Sequence, residues 1–205
     1  MNISTQAIVL HTTRVSDRTS MLHLYTRECG RVPYYIYGVQ SRKNPKHALL
    51  MPLALLEIEA VHQENRDVQQ LRDWQLGYVA NVLSADICRQ TEALFIAEIL
   101  YRTLTHPMAD PVLFDFLAET VEQLNTRQDP ENVHLEFLVG FAEHLGYGID
   151  FESFSGQPFL PIVEHAPMSH SARQEKLRML MKYYEQHLPD FQAPKSLDVM
   201  FQVFN

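Results

Sequence analysis

An α+β fold, with about five strands forming a small barrel and a run of helices after it, is what the pattern of this 205-residue chain predicts. Three observations lead there. Apolar residues recur at every second position through the first 80 residues and at helical spacing from Thr91 onward. Charge divides at the same place: residues 1–80 carry nine Lys and Arg against seven Asp and Glu, and residues 81–205 carry eight against eighteen. The composition, 46% hydrophobic and 20% charged, is that of a chain able to bury a core. The expected organisation is a barrel over residues 1–80 and a helical domain over 81–205, with an irregular loop at about 147–170.

Ile8 and Leu10 mark the first strand, Leu22 and Leu24 the second, and Val32, Tyr34 and Ile36 the third. Leu56, Ile58 and Ala60 mark a fourth, with Glu57 and Glu59 on its solvated face, and Asp67 to Tyr78 holds a fifth, weaker pattern. Between strands two and three, Glu28-Cys29-Gly30 suits a short hairpin loop with Gly30 in the left-handed region. The segment Ser41 to Pro52 after the third strand is cationic and broken by prolines. In the second half, the apolar stripe from Thr91 predicts a helix ending before His106-Pro107. Asp110-Pro111 and Asp129-Pro130 each supply an N-cap followed by proline at the first helical position, opening two further helices. Pro158, Pro161 and Pro167 punctuate the irregular loop. Ser171 with Gln174 makes a capping box for a fourth helix that ends at Pro189, and Ser196 caps a short last one.

Enzyme signatures are missing: there is no Gly-rich phosphate loop, no G-x-S-x-G elbow and no H-E-x-x-H. Cys29 and Cys88 cannot make a four-cysteine metal site. Among ten histidines, neither His134 with His144 nor His165 with His170 has ligand spacing, so no metal or other cofactor is expected. The run Ala48 to Leu56 is too short to span a membrane, and Arg14 and Asp17 lie where a signal peptide needs apolar residues. These observations predict a soluble cytoplasmic protein with reduced thiols.

The net charge of −8 argues against nucleic acid until its distribution is considered. From Met1 to Lys46 there are seven basic residues and two acidic ones. Arg14, Arg18, Arg27, Arg31, Arg42, Lys43 and Lys46 fall at strand ends and loops, the positions that line a groove on a small barrel. Tyr35 and Tyr37 share a strand face opposite Tyr34 and Ile36, and on the outside they would stack bases. Alternation alone does not choose which pair is outside. The acidic helical half suits a protein partner instead, so an adaptor with little DNA binding of its own is the alternative reading.

In order along the chain, Ile8-Val9-Leu10, Ser16-Asp17-Arg18-Thr19-Ser20, Leu24-Tyr25-Thr26, Gly30-Arg31-Val32 and Gly38-Val39 resemble the RecO family of bacterial recombination mediators. So do Phe95 to Tyr101, Leu145-Gly146-Tyr147, His187-Leu188-Pro189 and Lys195 to Val199. The resemblance implies an N-terminal five-stranded OB-fold barrel joined to an all-helical domain, and a non-enzymatic role in DNA repair and recombination. Its members bind single- and double-stranded DNA, anneal complementary strands, and work with RecR so that the recombinase loads onto DNA coated by single-stranded DNA-binding protein. Many members carry a four-cysteine zinc module after the Leu-Gly-Tyr turn. Gly148 to Ser171 has no cysteine, so zinc does not carry over.

Overall fold

The computed structural model describes residues 1–38, 46, 49–63, 65–77, 86–128, 130–149 and 168–203. Five strands, β1 (Asn2–Arg14), β2 (Thr19–Thr26), β3 (Gly30–Tyr37), β4 (Leu55–Val61) and β5 (Gln69–Leu76), close into a barrel in the order β1-β2-β3-β5-β4. Closure leaves the barrel body without sheet edges. All neighbours are antiparallel except β3 and β5, which run parallel and meet at Tyr34 opposite Gln69 and Tyr35 opposite Gln70. Among the described residues five helices follow: α1 (Ile87–Thr103), α2 (Pro111–Thr126), α3 (Val133–His144), α4 (His170–His187) and α5 (Ser196–Val203).

Period-two alternation fills the barrel. Val9, Leu22, Leu24, Val32, Tyr34, Ile36, Leu56 and Ile58 point inward and are buried, whereas Glu57 and Glu59 are exposed on the outer face of β4. A second apolar cluster joins the two halves of the chain. Ile8, Leu10, Tyr25, Leu53 and Leu55, on the outer wall of the barrel, share it with Phe95, Phe114, Phe137, Phe141 and the rest of the helical core. Tyr25 stacks on Phe114 with ring centroids 6.3 Å apart.

The caps explain where several helices begin. The Asp86 carboxylate accepts from the N–H groups of Cys88 and Arg89, so α1 starts four residues before the apolar stripe does. Asp110 accepts from Val112 and Leu113, with Pro111 at the first position as its sequence predicts. For α3 the outcome differs from the Asp129-Pro130 expectation. Asp129 lies outside the described residues, Glu131 and Asn132 form a turn, and the helix opens at Val133. The Asn132 side chain does not cap it, because its Oδ1 accepts from Arg173 Nε of α4 at 3.0 Å. Ser169, rather than Ser171, caps α4 by accepting from the Ala172 N–H. Glu98 of α1 accepts from the N–H groups of Lys195 and Ser196 at 2.9 and 3.0 Å and from the Ser196 hydroxyl, so a side chain from another helix caps α5.

Candidate nucleic-acid interface

The sequence-predicted site residues separate to opposite ends of the barrel. At one end lies the β2–β3 hairpin loop, whose sharp return depends on Gly30. Its φ is 66°, and a Cβ there would sit 2.3 Å from the Met108 carbonyl oxygen in the α1–α2 connection. Only glycine permits both the left-handed backbone and so close an approach. Arg27 of this loop donates through both Nη atoms to Asp115 of α2 and lies 5.1 Å over the Phe114 ring. Arg31 Nη1 donates to the carbonyls of Tyr101 and Leu104 at 2.9 and 2.6 Å, and its guanidinium lies 4.4 Å over the Tyr101 ring. A cation on the last carbonyls of α1 is favoured by the helix dipole. Both arginines are therefore taken up in fastening the hairpin to the helices.

The same surface holds His11 and His23, cross-strand partners whose rings lie 4.7 and 5.0 Å from that of Tyr101. Burial, then the Arg31 charge, then His11 push the His23 pKa down to about 4, so it is neutral at pH 7.

Among the described residues, the other end of the barrel is open. Register places Arg14 of β1 beside Ser20 of β2, and Ser20 beside Ile36 of β3. Tyr37 and the β1–β2 turn with Arg18 are thus at the same level, and the Gly38 N–H donates to the Arg18 carbonyl at 2.8 Å. Tyr34 and Ile36 are buried inside the barrel, which turns Tyr35 and Tyr37 outward; Tyr37 is 63% exposed. This resolves the alternative that alternation left open. Arg14 pairs with Asp17 at 2.5 Å, both well exposed, and an ion pair so placed is worth little. The Arg18 guanidinium has no partner among the described residues.

Because β5 runs parallel to β3, its later residues come to this same end. Lys46 is there, paired with Asp73 and 5.0 Å over the Trp74 ring, and the bond from Lys46 lowers the Asp73 pKa. So is Arg72, exposed where the β4–β5 register shifts, a cation that sequence reading missed because it stands alone in a weak strand pattern. Arg42 and Lys43 lie outside the described residues. The open end thus combines aromatic faces, flexible cations and only weakly held counter-charges, the ingredients for stacking bases and neutralising phosphates. No cluster of three His, Cys, Asp or Glu suited to a metal occurs among the described residues, and no helix of theirs is long and apolar enough to cross a membrane.

Comparison with known proteins agrees in both halves. Residues 1–78 match the family profile described as Recombination protein O N terminal, and residues 84–161 match Recombination protein O C terminal. The chain is 32% identical over 248 residues to a protein of Porphyromonas gingivalis named DNA repair protein RecO, with 100% of both chains covered. Proteins of the same name from Flavobacterium psychrophilum and Phocaeicola vulgatus are each 27% identical, covering 100% and 98% of both chains respectively.

Proposed function

Because this chain belongs to the RecO family of DNA repair proteins, we propose that it is a recombination mediator: it binds DNA, anneals complementary single strands and helps a recombinase load onto DNA coated by single-stranded DNA-binding protein. RecR and single-stranded DNA-binding protein are its proposed partners, and the cytoplasm its proposed place of work. It makes and breaks no covalent bond. Annealing gains from lowering phosphate repulsion between strands while bases stay accessible.

The observation that carries the reading is the gathering of Tyr35, Tyr37, Arg14, Arg18 and Lys46 at the barrel end that is open among the described residues. In this reading Arg42, Lys43 and Arg72 add phosphate contacts, and Arg27 and Arg31 act indirectly by holding the hairpin. The adaptor reading draws support from those two arginines, since their charge is already satisfied by the helices.

Fluorescence anisotropy of a labelled single-stranded oligonucleotide across a salt series distinguishes the two. With about four phosphate contacts, log affinity against log salt should fall with a slope of roughly −3. Absence of binding at low salt would overturn the mediator reading for this chain and favour the adaptor.

A further inference from the structure

Beyond Val9, one edge of β1 has no neighbouring strand among the described residues. Pairing with β4 runs from Asn2 to Ile8. Two more bonds, Val9 N–H to the Ala54 carbonyl at 3.0 Å and Leu53 N–H to the Val9 carbonyl at 2.8 Å, carry it one residue further. The strand continues to Arg14 with β2 as its one partner among the described residues, His11 opposite His23 and Arg14 opposite Ser20. Since the Val15 N–H donates to the Thr19 carbonyl, alternation directs the main-chain groups of His11 and Thr13 to β2 and those of Thr12 and Arg14 outward. Residues 11–14 are all exposed, and neither proline nor an acidic side chain guards this edge.

The edge borders a groove of about 790 Å³ between the barrel and the helices. Leu10, His11, Leu50 and Pro52 line its barrel side, and Leu94 of α1 and Val199 of α5 line the other. Leu94 and Val199 are 43% and 40% exposed, so the helical wall of the groove presents two apolar side chains to solvent. Glu98, Arg102 and Lys195 are the charged residues among its described lining. The Glu98 carboxylate is occupied by Arg102 and by the first N–H groups of α5, which leaves the Lys195 ammonium as the uncompensated charge. Main-chain donors and acceptors in a row, apolar walls and a cationic rim together fit a peptide better than a sugar-phosphate chain, which has no main-chain amides to complete a ladder.

We propose that this edge and groove bind an extended internal segment of a protein partner, apolar at alternate positions and flanked by acidic residues, which adds as a strand to β1. The ladder to Thr12 and Arg14 supplies affinity, Leu94 and Val199 select the inward side chains, and Lys195 favours the acidic flanks. This site adjoins the open end proposed for DNA, and the two meet at Arg14, its main chain serving the ladder and its side chain the DNA end.

The test uses the full chain and a fluorescein-labelled, end-capped peptide of sequence Glu-Glu-Val-Thr-Val-Thr-Val-Glu-Glu, which has no free terminal carboxylate. Saturable binding is expected, with amide hydrogen exchange at Thr12 and Arg14 slowed about tenfold or more. The same peptide N-methylated at alternate amides should bind about tenfold more weakly or worse. Thr12→Pro removes an outward N–H without touching the β1–β2 ladder, a place where an edge strand tolerates proline, and should weaken binding similarly at unchanged melting temperature. Leu94→Glu tests the opposite wall independently and should do the same. The proposal is overturned by no binding at about millimolar peptide, by equal binding of the N-methylated peptide, or by unchanged exchange at Thr12 and Arg14. Displacement of the peptide by a single-stranded oligonucleotide would assign the groove to nucleic acid, and dimerisation that the peptide abolishes would assign the edge to a second copy; either outcome also overturns it.

Discussion

The two ends of the β2–β3 hairpin carry similar residues and meet different fates. At the loop end, Arg27 and Arg31 are drawn onto Asp115, Phe114, Tyr101 and the last carbonyls of α1. At the far end, about 20 Å along an eight-residue strand, Arg18 and Tyr37 face solvent. Chemistry does not distinguish the arginines. What does is whether a helix terminus or a carboxylate lies within reach, so a basic residue on a small barrel becomes a binding residue only where the rest of the chain leaves it alone.

Breaking the docked end should have the largest effect. Gly30→Ala drives a methyl group into the Met108 carbonyl and forces a left-handed backbone on alanine, with an expected loss of about 3 kcal/mol or more in urea unfolding. Arg31→Ala strips two carbonyls of their charged donor and should cost about 2 kcal/mol of stability, with little change in DNA affinity measured while the protein is folded. At the open end the pattern should invert. Tyr37→Ala should leave the melting temperature unchanged and weaken single-strand binding by about 1–2 kcal/mol in anisotropy titrations; equal loss of stability would break the comparison.

His23 gives the docked end a pH effect in the range below neutrality. His23 is neutral in the fold, with its pKa depressed from 6.5 to about 4, whereas the unfolded chain takes up a proton near 6.5. Stability should therefore be full above pH 6.5 and decline as pH falls toward 4, by on the order of 1 kcal/mol after solvent screening of this half-exposed ring. His23→Gln should flatten that part of the pH–stability curve. The smallest effect is expected from Arg18→Ala, which should reduce the salt slope of single-strand binding by about 0.7, one phosphate contact, without altering thermal unfolding.

The strands, the hairpin at Gly30 and the cap at Asp110 are local features, and local pattern makes them legible, whereas the last helix is capped by Glu98, 98 residues before Ser196, and not by Ser196 as its sequence suggests. Alternation separates Tyr34 from Tyr35 but carries no sign telling inside from outside; that is decided when β3 closes against β5 through Gln69 and Gln70. The partners of Arg27 and Arg31 are 88 and 70 to 73 residues away, so nothing in the neighbouring sequence marks these two as different from Arg18. Asn132 is obscured for a related reason. Arg173, 41 residues on, takes the Asn132 oxygen that a local reading would leave for capping.

The apolar cluster shared by the outer barrel wall and the helices bears on how this protein can be dissected. A fragment ending at Gly77 would keep every ladder of the barrel, yet it would display Ile8, Leu10, Tyr25, Leu53 and Leu55 as one uncovered patch. Such a fragment is expected to self-associate, and weak DNA binding by it would report the loss of its cover instead of the absence of a site. Strands and helices divide the topology between them, while the covering of this apolar patch is held in common.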